Sequence, residues 1–121
     1  MNQINTRVVF DAVSVTKNTT STSRTVELNQ AGTSGTFSLQ VAVTGDGTLT
    51  FKYTVSNDGQ TFITPTGFSD IKAGVTKTGG PGGDGKDIYS FSPPIAKFIR
   101  ITATETGTAS AAVLTATLAF Q

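Results

Sequence analysis

The chain is predicted to be all-β, a single antiparallel β-sandwich, on three observations. Between Thr36 and Ile63 apolar and polar residues alternate strictly: Phe37, Leu39, Val41 and Val43 against Thr36, Ser38, Gln40 and Ala42, then Leu49, Phe51, Tyr53 and Val55 against Thr48, Thr50, Lys52 and Thr54. A period of two places one face of a strand in a core and the other in water. No segment keeps apolar residues at helical spacing for three turns. Hydrophobic residues make up 36% and charged residues 14% of the chain, with Thr and Gly filling much of the remainder; β-branched Thr suits outward strand faces and Gly suits turns.

At 121 residues the chain has the size of one domain. The expected organisation is one sandwich over residues 1–121, with a short N-terminal arm over residues 1–6 and a glycine-rich loop over residues 77–87. The first strand is read from Arg7 to Val15, with Val9, Asp11, Val13 and Val15 on one face and Val8, Phe10 and Ala12 on the other. Both faces are partly apolar, which fits a strand at a sandwich edge or at a subunit contact. Lys17 to Arg24 reads as a polar connection, and Thr25 to Leu28 as a brief strand. The two alternating runs that follow are separated by Gly45-Asp46-Gly47, and this spacing predicts an antiparallel hairpin. Asn57-Asp58-Gly59 adds a second turn, so that Thr36 to Ile63 is expected to form a β-meander.

Beyond Thr64 the pattern weakens: Pro65, Gly67 and Ser69-Asp70 punctuate a region holding Phe68, Ile71 and Val75, which has room for a short strand. Five glycines and one proline between Thr78 and Asp87 are incompatible with a strand or helix, so this segment is read as a flexible loop. Ile88 to Phe91 resumes extended structure until Pro93-Pro94. Lys97 to Thr104 is a strong strand with Ile99, Ile101 and Ala103 on one face. Glu105 to Thr108 turns the chain into the last strand, which alternates Ala112, Leu114, Ala116, Leu118 and Phe120 against Val113, Thr115 and Thr117. Seven or eight strands at this spacing fit a jelly-roll-like sandwich, with an immunoglobulin-like order as the alternative.

Several chemistries are excluded or disfavoured. With no Cys and no His there is no disulfide framework, no thiolate metal site and no general base titrating near neutral pH. A net charge of +1 is too small to steer the chain onto nucleic acid or an anionic membrane. No run approaches the length of an apolar membrane span, and Met1 to Arg7 lacks the apolar core of a secretory signal. Gly80-x-x-x-x-Gly85-Lys86 resembles most of a phosphate-binding loop, but Asp87 stands where Ser or Thr is needed and no helix follows. The aspartates in Asp-Gly turns serve backbone geometry in the first place and lack the spacing of a calcium loop. No catalytic residues, no metal ligands and no cofactor are assigned, and the chain is expected not to be an enzyme.

Candidate contact residues remain. The outward row of Thr48, Thr50 and Lys52, together with Arg24 and Lys86 from the loops, is assigned to partner contact. Arg24 and Arg100 suit bidentate pairing with a carboxylate. Phe62, Phe68 and Tyr89 lie near loops and are assigned as the aromatic set for stacking on a sugar ring.

Two quoted stretches carry a resemblance. Tyr53-Thr-Val-Ser-Asn-Asp-Gly-Gln-Thr-Phe62 and Ala96-Lys-Phe-Ile-Arg-Ile101 are similar to the Ser-x-Asp-Gly-x-x-aromatic turn and the later strand of discoidin-type (coagulation factor 5/8 type C) sandwiches, with Phe62 where Trp is usual. The chain also resembles the small Thr- and Gly-rich, Cys-free virion proteins of tailed bacteriophages. That second resemblance implies a capsid-decorating or tail-associated accessory protein, made in the host bacterial cytoplasm and carried in the virion. It further implies a homo-oligomer, trimeric or higher, that contacts other virion proteins and neither nucleic acid nor membrane. The first implies a carbohydrate-binding module as the alternative.

Overall fold

In the computed structural model the described residues are 4–28, 36–67, 70–107 and 110–121. Nine strands follow one another along them: β1 (Asn5–Val15), β2 (Thr20–Thr22), β3 (Val26–Glu27), β4 (Phe37–Gly45), β5 (Leu49–Ser56), β6 (Asp70–Val75), β7 (Lys86–Phe91), β8 (Phe98–Glu105) and β9 (Ala112–Phe120). They form two antiparallel sheets, ordered β1-β9-β4-β7 and β2-β8-β5-β6, with β3 also paired to β8. If β2 and β3 are taken as one interrupted strand, this is the interleaved eight-strand order of a jelly roll, in which the chain passes between sheets at most connections. Fold class and sandwich architecture are therefore as the alternation predicts, and the strand order selects the jelly roll over the immunoglobulin-like alternative.

The expected hairpin is not formed. β4 pairs with β9 and β7, whereas β5 pairs with β8 and β6, so the two runs lie in different sheets and Gly45-Asp46-Gly47 is a corner between them. Alternation reports only that each strand has one inward face. Two strands facing each other across a sandwich satisfy it as well as two neighbours in one sheet. The corner glycines have a packing reason instead: a Cβ on Gly47 would sit 2.7 Å from Ser110 O and 2.8 Å from Ala112 N. The second turn does fold back, but only as a single antiparallel bridge between Val55 and Ile63.

The core lies between the sheets. Leu39, Leu49, Phe51, Ile99, Ile101, Ala103, Ala112, Leu114 and Leu118 are fully buried, each on the face that alternation assigns. Rings bridge the layers: Tyr53 of β5 meets Phe91 of β7 at 5.4 Å between centroids, and Phe51 meets Tyr89 at 6.4 Å.

β1 begins at Asn5, two residues inside the expected arm, because Asn5 and Thr6 pair with Phe120 and Ala119. Its two-faced apolarity has a local cause. The register against β9 shifts twice, between Val8 and Phe10 and between Phe10 and Val13, so Val9 and Phe10 are consecutive and both buried. At the second shift Ala12 adopts φ +51°, and its N–H donates to Thr115 Oγ1 at 3.1 Å, where the ladder is interrupted. These are β-bulges on an edge strand, and a single alternation across Arg7 to Val15 does not describe them.

The glycine-rich segment is likewise built rather than loose. Gly79 N–H donates to Thr76 O, Gly83 N–H to Gly80 O and Gly85 N–H to Gly79 O, while Gly85 O accepts from Val43 N–H of β4. Lys86 and Asp87 already belong to β7. Gly85 has φ +79°, and a Cβ there would run into Val43 O and lie 2.9 Å from Lys77 O. Gly85→Ala is expected to lower stability by more than about 1 kcal/mol, the usual scale for a side chain forced into positive φ. Gly67→Ala, at φ +78° with open space around it, should cost less in the same urea titration.

Candidate functional site

The candidate contact surface is the outer face of the β2-β8-β5-β6 sheet. Register aligns its side chains in rows: Thr20, Thr104 and Thr50 in one, Thr22, Thr102 and Lys52 in the next, Arg100 and Thr54 in a third. Outward alternation along β8 puts Arg100, Thr102 and Thr104 opposite the β5 row. Thr20 and Thr104 share a hydroxyl hydrogen bond of 2.8 Å. Lys52 Nζ lies 3.4 Å from Asp70 Oδ1 in an exposed pair, which contributes little to stability but fixes where the charge stands.

Of the assigned contact residues, Thr50 and Lys52 are brought together on this face. Thr48 stands just before β5, where its backbone is engaged: its N–H donates to Glu105 Oε2 and its carbonyl accepts from Thr106 N–H. Arg24 lies exposed between β2 and β3, next to Thr25, whose Oγ1 accepts from Arg100 Nε at 2.9 Å. Lys86 is elsewhere, exposed on β7 in the other sheet, where it pairs with Ala42. Thr20, Thr22, Thr102 and Thr104 complete the face and escape sequence reasoning. The alternation of β8 marks two of them, but pairing across strands sets which residues share a row.

The assigned sugar-stacking aromatics do not form one platform. Tyr89 alternates inward with Asp87 and Phe91, packs on the core and contacts Phe51; burial, helped by the nearby Asp87 carboxylate, pushes its hydroxyl pKa up. The extended segment read from Ile88 to Phe91 already held it; that this strand begins at Lys86 and turns Tyr89 onto the core is decided by its pairing with β4. Phe62 is half-buried, with the Arg100 guanidinium 3.8 Å from its ring centroid, a close cation–π contact. Phe68 lies outside the described residues.

The two stretches that carry the discoidin-like resemblance meet in space. Ser56 is buried, and its hydroxyl donates to Asp58 Oδ1 at 2.8 Å while accepting from Gly59 N–H at 3.0 Å. Asp58 Oδ1 also accepts from Gln60 and Thr61 N–H, both at 2.9 Å. These donors, the Gln60 amide foremost, hold the Asp58 carboxyl down at about 2. From the other stretch, Lys97 N–H donates to Asn57 Oδ1 at 3.1 Å, and the Phe98 ring lies where a Cβ on Gly59 would come within 3.2 Å. The motif is thus a self-contained turn seated on β8.

Glu105 is the functional-looking acid that sequence reasoning passed over as part of a turn. It is buried and accepts from three backbone N–H groups: Gly107 at 2.7 Å, Thr48 at 2.8 Å and Asn18 at 3.2 Å. The Thr48 amide first, then those of Gly107 and Asn18 and the charge of Lys17, lowers its pKa against the opposing effect of burial. It therefore joins the β1–β2 connection, the β4–β5 corner and the β8–β9 turn at one end of the sandwich. Among the described residues no group of three acids stands close enough to hold a metal ion, and no helix is long and apolar enough to cross a membrane.

No family model matches the chain, and no curated protein matches it, so the discoidin and bacteriophage resemblances gain no support from these comparisons. A solved structure does match. The chain is similar to one in the structure of infectious bursal disease virus, Gx strain, at a TM-score of 0.52 and 13% identity, over 97% of this chain and 31% of that one. The likeness is one of fold. It extends over nearly the whole of this chain, which spans less than a third of its neighbour.

Proposed function

We propose that the chain is a non-enzymatic structural subunit of a virus particle, docking through the outer face of the β2-β8-β5-β6 sheet. The observation that carries this is the fold: the described residues follow a jelly-roll order, and the chain is similar over 97% of its length to a chain of a virus structure. The surface supports it. The rows of threonine with Lys52 and Arg100 offer a broad, flat array of hydroxyls and two cations, suited to a protein surface rather than to a small ligand enclosed in a cleft. Four of the eight acids are engaged within the chain: Asp58 in its turn, Glu105 on its three amides, Asp46 with Lys77 and Asp70 with Lys52.

Within that role, a tailed-bacteriophage accessory protein fits the residues best, either decorating the capsid or associated with the tail. The chain is Cys-free, as suits assembly in a reducing bacterial cytoplasm and release by lysis. It would repeat as a trimer or higher ring against other virion proteins. With Tyr89 in the core and Phe62 under Arg100, the carbohydrate-binding alternative lacks an aromatic platform among the described residues.

The test is co-sedimentation with density-banded particles produced by the genome that encodes the chain. Wild-type protein should band with the particles at a stoichiometric copy number. The double variant Thr50→Arg/Lys52→Glu should lose at least about tenfold in particle affinity, as expected for disturbing the centre of an interface, with an unchanged melting temperature. Lys86→Glu, on the opposite sheet, should bind as wild type. Absence of the chain from purified particles would overturn the reading.

A further inference from the structure

The two outer faces of the sandwich differ in charge. The central strands of the β2-β8-β5-β6 sheet turn Lys52 and Arg100 outward, whereas β4 and β9, the central strands of the other sheet, hold no charged residue. Register sets the outward side chains of that second sheet in rows running from β1 to β7. One row is Val8, Thr117, Gln40 and Ile88. The next is the Asp11–Ala12 bulge, Thr115, Ala42 and Lys86. Both ends of the first row are exposed apolar side chains, Val8 at 51% and Ile88 at 59%. Both ends of the second are charged, with exposed Asp11 on β1 and exposed Lys86 on β7. Neither is ion-paired within the described chain.

The relief of the face has the same polarity. On the β1 side the bulge stands on this surface, since Ala12 N–H donates to Thr115 Oγ1, a side chain that points outward between buried Leu114 and Ala116. On the β7 side lies an open recess of about 470 Å³, bounded by Gln40, Ala42, Lys86, Ile88 and Pro81 of the glycine-rich loop. The edge of β7 is closed by the chain itself. Gly80 lies against Lys86 O, and Asp84 and Asp87 accept from the Lys86 and Ile88 N–H groups. What β7 leaves open is its outward face.

We propose that this face packs on that of a second copy of the chain, the two β1-β9-β4-β7 sheets aligned about 10 Å apart around a two-fold axis that runs along the strands between β9 and β4. The occupant is a second copy because each row is complementary to itself reversed, and this axis produces that reversal. β1 then lies over the partner's β7, and β9 over the partner's β4. Val8 meets the partner's Ile88, and Thr117 meets the partner's Gln40. The Asp11–Ala12 bulge enters the partner's recess, with Asp11 toward the partner's Lys86. Every contact occurs twice. Burial of Val8 and Ile88 favours the association, and the charge pair at the rim sets register more than affinity. Four strands at sheet spacing present roughly 600 Å² per copy, at the lower end of stable interfaces, so micromolar concentrations are the working range. The contact lies on the other sheet from the threonine face and requires no particle, so it stands or falls apart from the proposed virion role.

The test is light scattering coupled to size exclusion, on the full chain, from low to high micromolar concentration. The wild type should approach the mass of two chains as concentration rises. Thr117→Arg, at the centre of the face, sets a guanidinium against the partner's Gln40 twice and should weaken self-association at least about tenfold. Val8→Glu and Ile88→Lys each put an unpaired charge against an apolar side chain and should weaken it similarly. The combined variant sets each new carboxylate against the partner's new ammonium and should regain most of the wild-type association. All three positions face outward in the single chain, so circular-dichroism spectra should match the wild type. Thr54→Arg, on the opposite sheet, should leave the mass unchanged. A wild type that stays monomeric throughout, a Thr117→Arg variant as associated as the wild type, or a combined variant no more associated than either single one would overturn the proposal.

Discussion

Phe51→Ala is expected to destabilise the chain by about 3–5 kcal/mol, the range for deleting a fully buried aromatic side chain. Phe51 is 0% exposed on β5. It pairs with Ala103 of β8 in its own sheet and reaches across the core to the Tyr89 ring on β7 at 6.4 Å. Its loss therefore removes apolar burial and also one of the contacts that hold the two layers in place. Neighbouring backbone is tied on both sides and collapses poorly onto the space, so a cavity term adds to the transfer term. A single domain of this kind has about 5–15 kcal/mol in total, so the variant should unfold at a much lower urea midpoint, read by far-ultraviolet circular dichroism. Thr54→Ala, on the outer face of the same strand, should stay within about 0.5 kcal/mol of wild type. Phe51→Ala and Tyr89→Ala should be non-additive in a double-mutant cycle, because each removes the partner of the other.

Glu105→Gln is expected to lower the melting temperature by several degrees and to flatten its dependence on acid. Both carboxylate oxygens accept in the wild type, Oε1 from Asn18 and Oε2 from Thr48 and Gly107. A glutamine must therefore set its NH2 against at least one N–H donor, leaving a buried donor unsatisfied. The pH dependence has a definite sign. The folded-state pKa of Glu105 lies below its ordinary value of 4.5, so the ionised side chain contributes its full stabilisation above that value. The contribution is lost as pH falls through the lowered folded pKa. Melting curves of the wild type from neutral pH to about pH 3 should fall more steeply than those of Glu105→Gln across that acid window. Asp58, held at about 2 against an ordinary 3.8, stays charged in the folded chain while it protonates in the unfolded one, so it adds the same acid slope to both proteins and cancels in the comparison. Parallel slopes for the two would mean that Glu105 does not carry the acid sensitivity of this end of the sandwich.

What the residues specify locally is legible, and what depends on distant partners is not. The inward rows Leu39 to Val43, Leu49 to Tyr53, Ile99 to Ala103 and Ala112 to Phe120 are buried as alternation states, since a strand with one wet face must place its apolar residues every second position. The turn at Ser56–Phe62 is likewise written in its own hydroxyl, carboxylate and glycine. Alternation ends at the face of the strand, however, and carries no label for the neighbour. The Gly45-Asp46-Gly47 corner therefore read as a hairpin, when β4 and β5 belong to different sheets. The same limit concealed the threonine face, most of which comes from β2 and β8, and the role of Glu105, whose three donors lie at Asn18, Thr48 and Gly107.

The all-β class, the inward face of each long strand and the lack of thiol and imidazole chemistry follow from the sequence alone. Each is a property of residues within a few positions of one another or of composition. The jelly-roll order, the bulges of β1, the closed glycine-rich loop and the grouping of Thr20, Thr50, Thr102 and Thr104 were decided by the tertiary structure. They depend on which strands exchange backbone hydrogen bonds, a choice made by packing two sheets over one core, and no local period encodes it.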